Sequence, residues 1–160
     1  MIKINIICLG RLKEKYLRDA AAEYEKRLSA YAKLNIIEFE PERLSDNPSS
    51  AEIEAALRTE ADKILKKIEQ GSYTVAMCIE GKQMESREFS ALITDKANSG
   101  TGVFNFIIGS SCGLSDLVKK RADLKFSFSK MTFPHQLFRI MLEEQLYRAF
   151  KIADGGRYHK

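Results

Sequence analysis

The sequence predicts an α/β domain whose largely parallel sheet is flanked by helices. Three observations carry this. Short β-branched runs alternate with longer stretches of helical composition along the whole chain. Glycine, proline and serine punctuate the changes. The 160 residues, 44% hydrophobic and 30% charged, suit a single folded domain over residues 1–160, with a core that needs no disulfide or metal. No internal repeat or low-complexity segment interrupts it, and only Pro41–Pro48 reads as flexible.

The elements follow in order. Ile2–Leu9 is a β-branched run that stops at Gly10. Tyr16–Tyr31 is a helix, with Tyr16, Ala20, Tyr24 and Leu28 on one face. Leu34–Phe39 is a second strand, and Glu40–Ser50, with two prolines, is a loop. Ser49 or Ser50 caps a helix that carries Glu52 and Glu54 in its first turn and runs to about Glu69, before Gly71. Tyr73–Ile79 is a third strand. A helix capped by Ser86 ends near Asn98-Ser99-Gly100. Val103–Ile108 is a fourth strand, followed by the turn Gly109–Gly113 and a short helix capped by Ser115 that reaches about Ala122. Leu124–Phe128 is a fifth strand, and Pro134 opens a last helix that ends near Gly155-Gly156.

Composition excludes several classes. No apolar run approaches the length of a membrane span, and the start lacks the long apolar centre of a signal peptide, so a cytoplasmic protein is expected. Cys8, Cys78 and Cys112 fit no zinc or redox spacing; Cys8 and Cys78, inside apolar runs, read as buried free thiols. No His, Cys, Asp and Glu cluster has metal spacing. The net charge is +4, unevenly spread. Met1–Lys33 hold eight basic and four acidic residues, Leu34–Val118 eight and fourteen, Lys119–Lys160 ten and four. If the basic ends meet in space, they form a surface suited to a polyanion such as nucleic acid; otherwise they are scattered solvated charges.

In a parallel sheet, ligands bind at loops beyond the carboxyl ends of the strands. Here those loops are Glu80–Glu85, Gly109–Gly113 and Ser129–His135. GxGxxG and GxxxxGK[ST] are both absent, which counts against an enzyme with a phosphate site at Gly109. Ser127–Gln136 (SFSKMTFPHQ) has no glycine; its hydroxyls and amides suit a polar ligand group, while Phe128, Met131 and Phe133 suit the wall of an apolar ring. The last helix has two apolar stripes. Phe138, Leu142, Leu146, Ala149, Phe150 and Ala153 pack on the sheet; Leu137, Ile140, Met141 and Tyr147 form a mixed stripe for a dimer mate, or for a second part of the same domain. His135 positions or caps the start of this helix. The end of the chain, Arg157-Tyr158-His159-Lys160, gathers a guanidinium, an aromatic ring, an imidazole and an ammonium.

IIGSSCGL at Ile107–Leu114, FSFSKMTFPHQ at Phe126–Gln136, EQLYRAFKI at Glu144–Ile152 and the terminal YHK closely resemble the ribosomal RNA large subunit methyltransferase H family, minimal members of the SPOUT methyltransferases. GRLKEKYLRDAAAEYEKRL at Gly10–Leu28 extends the resemblance over the whole chain. The resemblance implies a deep trefoil knot in the C-terminal part of the α/β fold (a SPOUT, or alpha-beta, knot), which no topological prior favours. It also implies a homodimer, and methyl transfer from S-adenosylmethionine to N3 of a pseudouridine in a stem-loop of 23S ribosomal RNA on the assembled ribosome. Carried over by motif, the cofactor residues are Met77, Gly109, Phe128, Ser129, Lys130, Met131, Thr132 and Phe133. Arg157, Tyr158 and His159, with Lys160, are the candidates for holding the base and lowering the cost of its N3 anion. Ser110 stands where many relatives have glycine. The alternative is a ribosome- or RNA-binding protein without catalysis, which titration with S-adenosylmethionine distinguishes.

Overall fold

The structure, a computed structural model, describes residues 1–155. Five strands, β1 (Ile2–Leu9), β2 (Ala32–Phe39), β3 (Tyr73–Lys82), β4 (Val103–Ile108) and β5 (Leu124–Phe126), form one sheet in the order β2-β1-β4-β3-β5. Every pairing is parallel. Helices α1 (Lys15–Leu28), α2 (Ser50–Leu65), α3 (Ser86–Asn98), α4 (Asp116–Arg121) and α5 (His135–Ala153) connect or follow the strands. This is the predicted single α/β domain.

Strand periodicity explains why both faces are covered. Ile4, Ile6, Cys8, Phe104 and Phe106 point to one side, where Phe89 of α3 and Leu142 and Leu146 of α5 meet them. Ile7, Leu9, Ala76 and Ile107 point to the other, against Ala61 and Ile64 of α2 and Val118 of α4. A polar row fixes the register. Asn35 donates to Asn5 (3.1 Å), Asn5 to Asn105 (2.8 Å), and Asn105 to Thr74 (3.1 Å), four residues directly opposite one another across four strands. A slip of one residue would leave the buried amides of Asn5 and Asn105 without partners and turn the apolar residues to the wrong face.

The differences from expectation have local causes. Ser86 is not a cap: Glu85 holds the extended cap conformation, its backbone N–H donates to Glu88 Oε2 (2.7 Å), and the Ser86 hydroxyl instead donates to Gln145 of α5 (2.8 Å). β3 runs three residues beyond Ile79, because β5 returns beside it and pairs Phe126 with Lys82 after a register shift. Gly81 permits this approach: a Cβ there would lie 2.6 Å from the Phe126 nitrogen. β5 ends at Phe126, two residues early, although the Ser127 N–H still donates to the Lys82 carbonyl of β3 (3.0 Å). Cys8 is buried as expected, but Cys78 is only half-buried.

The mixed stripe of α5 is shared out within the domain. Ile140 is buried against Leu12, Leu17 and Ala21, and Tyr147 meets the Tyr31 ring edge-on at 6.1 Å; Leu137 stays exposed and Met141 half-buried. Arg139 is buried under α1 and β2. It donates to Glu143 (3.1 Å), Glu38 (2.8 Å) and Glu25 (3.3 Å).

Glu143 is fully buried with one carboxylate oxygen unpartnered, and burial pushes its pKa up to about 7 against the pull of Arg139. A carboxyl group raised on folding contributes stability that is complete below its unfolded pKa and is lost as pH rises through the folded value. Stability therefore falls between about pH 4.5 and pH 7 through this group, by on the order of 3 kcal/mol. Glu143→Gln keeps an acceptor for Arg139 and removes the titration. Its melting temperature should match that of the parent at pH 5 and exceed it at pH 8; equal melting temperatures at both would refute the assignment.

Candidate active site

β4, β3 and β5 are neighbours in the sheet, so the segments leaving their carboxyl ends converge. Between them lies a cavity of about 400 Å³, within the range of small-molecule sites. Met77 to Glu80 form one wall, Ile108 to Leu114 a second, and Phe126 to Ser129 with Met131 to Phe133 a third. The start of α5 closes the fourth side with His135 and Phe138.

Each wall has a local reason for its shape. Gly109 is buried, and a Cβ on it would lie 2.4 Å from the carbonyl oxygen of Gly113. Only a glycine lets the turn fold back so closely. The Gly113 N–H closes the turn on the Ser110 carbonyl (2.9 Å). The Ser110 side chain does not narrow the turn: its hydroxyl donates to Glu60 of α2 (3.3 Å), a buried carboxyl whose pKa burial raises. The third wall holds itself. The Ser127 hydroxyl donates to the Ser129 carbonyl (2.9 Å), and the Ser129 hydroxyl accepts from the Met131 N–H (3.0 Å). Phe128 packs against Phe126 and Phe138 with ring centres 5.3 and 4.8 Å apart, which gives the cavity an aromatic side.

Seven of the eight expected cofactor residues line this one cavity: Met77, Gly109, Phe128, Ser129, Met131, Thr132 and Phe133. Lys130 is exposed and lies outside the lining. Arg157, Tyr158, His159 and Lys160 lie outside the described residues. Sequence reasoning missed Lys119 and Phe138 as wall residues, which no spacing connects, and held Glu80 and Cys112 only as members of ligand-bearing loops. His135 turns out to be a wall residue as well. Its ring packs on Gly10, and burial, helped by the charge of Lys13, lowers its pKa, so the imidazole is neutral at pH 7. Lys119 donates to Glu80 across 2.5 Å; this holds the Glu80 pKa below the usual carboxylate range and raises that of Lys119.

The first basic segment meets the described part of the last one, since α1 packs on α5. The Lys13 N–H donates to the Gln136 side chain (2.8 Å), placing the β1–α1 segment beside the start of α5 and the cavity. Among the described residues, no group of three His, Cys, Asp or Glu side chains could hold a metal, and no helix is long and apolar enough to cross a membrane.

A family model described as "Predicted SPOUT methyltransferase" matches residues 2–159. The chain is 52% identical over 159 residues to ribosomal RNA large subunit methyltransferase H of Clostridium acetobutylicum, covering 99% of this chain and 100% of that protein. It is 49% identical to the protein of the same name from Streptococcus suis over the same spans. A solved structure, a probable methylase family protein from Haemophilus influenzae Rd KW20, superposes with a TM-score of 0.54 at 14% identity, covering 100% of this chain and 72% of that one, which is a likeness of fold. The chain belongs to the SPOUT methyltransferases, in the family of ribosomal RNA large subunit methyltransferase H.

Proposed function

We propose that this methyltransferase, acting in the cytoplasm, binds S-adenosylmethionine in the cavity between β3, β4 and β5. It methylates N3 of a pseudouridine in a stem-loop of 23S ribosomal RNA on the assembled ribosome. The observation that carries the reading is the convergence of Met77, Gly109, Phe128, Ser129, Met131, Thr132 and Phe133 on one cavity.

The walls fit this cofactor. Phe128, Phe133 and Met77 suit the faces of a purine, the tight turn at Gly109 offers backbone groups at close range, and the hydroxyls of Ser129 and Thr132 suit a ribose or amino-acid end. When bound, S-adenosylmethionine supplies an electrophilic methyl group on a sulfonium. The protein's part is then to orient and to exclude water; orientation alone contributes several kcal/mol. The attacking imide nitrogen reacts best without its proton, so positive groups near it lower the barrier. Arg157, His159 and Lys160 take that role in this reading, and Tyr158 stacks on the base.

The reading is of a homodimer, and the length of α5 supports it. α5 starts at the cavity and its 19 residues carry the chain about 28 Å away. The residues after Gly155 span at most about 18 Å even when fully extended. In this reading the tail serves the cavity of a second copy. A groove lined by Tyr24, Met84, Phe126, Phe128, Ile140 and Met141 adjoins the cavity through the two phenylalanines, and the second copy docks there. The reading extends to one domain over residues 1–160 with a deep trefoil knot in its C-terminal part.

Thermal unfolding tests the cofactor. At a hundredfold excess over Kd, S-adenosylmethionine should stabilise the fold by about 2.7 kcal/mol, several degrees in melting temperature. Thr132→Arg, which adds bulk and like charge at the wall, should remove that shift. An undiminished shift would place the cofactor elsewhere.

A further inference from the structure

Among the described residues that line the cavity, only Glu80 and Lys119 carry a formal charge, and they are paired with each other. The remaining walls are apolar, aromatic, thiol or hydroxyl, and the His135 imidazole is neutral. Glu80 stands at the carboxyl end of β3 and Lys119 on α4, so the pair bridges two walls. Lys125, exposed on β5, is a further cation that acts on Glu80 from outside the lining.

This arrangement bears on a problem set by methyl-transfer chemistry. The donor and the product left after transfer differ by one methyl group and one positive charge. An apolar wall separates ligands that differ by one methyl only weakly. Charge is the larger handle, and the single carboxylate of the lining is what reads it. Resting on the cofactor reading above, we propose that Glu80 is the charge selector of the cavity. It favours the sulfonium-bearing donor over the neutral thioether product, and Lys119 limits how strongly.

The limit has a purpose. The sulfonium loses its charge as the methyl leaves. A bare carboxylate would therefore stabilise the bound donor more than the transition state, and would slow transfer. Lys119 offsets part of that field at 2.5 Å while keeping Glu80 ionised and oriented. Product release is favoured because the thioether has no charge for Glu80 to hold.

Calorimetric titration of S-adenosylmethionine and S-adenosylhomocysteine into the full chain tests this with two isosteric variants. Glu80→Gln should weaken donor binding about three- to tenfold at low salt, with product binding unchanged. Lys119→Met should tighten donor binding by a similar factor, again with product unchanged, and lower kcat. The preference for donor over product thus moves in opposite directions in the two variants. A pair that only clamps β3 to α4 would weaken both ligands in both variants, so movement in the same direction, or no movement, overturns the proposal. Failure of the parent protein to bind either ligand overturns the cofactor reading itself. Both side chains are partly exposed, so both variants should fold; matched circular dichroism spectra confirm it.

Discussion

Removing Tyr158–Lys160 should lower methyl transfer by two or more orders of magnitude and leave S-adenosylmethionine binding as it was. None of these residues belongs to the described core, and the described walls of the cavity are complete without them. What is lost is the aromatic, imidazole and ammonium chemistry that the base requires, worth several kcal/mol of barrier. The length of α5 turns this into a stronger test. If each tail serves the cavity of the other copy, a tail-deleted chain and a chain with a blocked cavity are each inactive alone. Mixed, they rebuild one working site in each mixed dimer. Random exchange should then restore about a quarter of the parent activity. No recovery on mixing, with dimers present by sedimentation, would show that each tail serves its own cavity. Full activity in the truncated chain would show that the tail is inert.

The blocked chain in that experiment is Gly109→Val, and its effect alone should be nearly as large. A Cβ on Gly109 would overlap the Gly113 carbonyl at 2.4 Å for the oxygen and 2.6 Å for the carbon, with Leu114 at 3.1 Å behind. Backbone atoms cannot swing aside as a side-chain end does. The turn must open, at a cost of about 1–3 kcal/mol, and opening it displaces the second wall of the cavity. Thermal stabilisation by S-adenosylmethionine should vanish while the circular dichroism spectrum is retained. Gly102→Ala is the control: a Cβ there meets nothing within 4 Å, so it should change neither stability nor binding by a measurable amount. Retained cofactor binding in Gly109→Val would remove the turn from the site.

Much of the domain was legible from local rules. Alternating β-branched runs mark strands because both faces of a parallel sheet are buried, and Ser49 and Ser115 announce α2 and α4 because their hydroxyls accept from the first-turn N–H groups of Glu52 and Leu117, each at 3.2 Å. The wall residues of the cavity were legible by a different route. Motif resemblance named seven residues that the structure brings to one cavity, whereas composition and periodicity only marked the three loops as ligand-bearing. Lys130 was carried along because it sits inside the motif, yet its side chain lies outside the cavity lining.

The order of hydrophobic and polar residues by itself determined which segments are strands, which are helices and which loops leave the carboxyl ends of the strands. These are decisions taken within a few residues, by side-chain alternation and backbone capping. The strand order β2-β1-β4-β3-β5 was decided only by the tertiary structure, because nothing local says which runs become neighbours. From that order everything non-local follows. β3 lengthens to Lys82 because β5 lies beside it, Ile140 of the mixed stripe packs within the domain because α1 covers it, and Arg139 finds two carboxylates distant in sequence, Glu25 and Glu38, beside Glu143 on its own helix. Glu80 and Lys119, 39 positions apart, become a 2.5 Å ion pair in the wall of the cavity because β3 lies beside β4 and α4 follows β4.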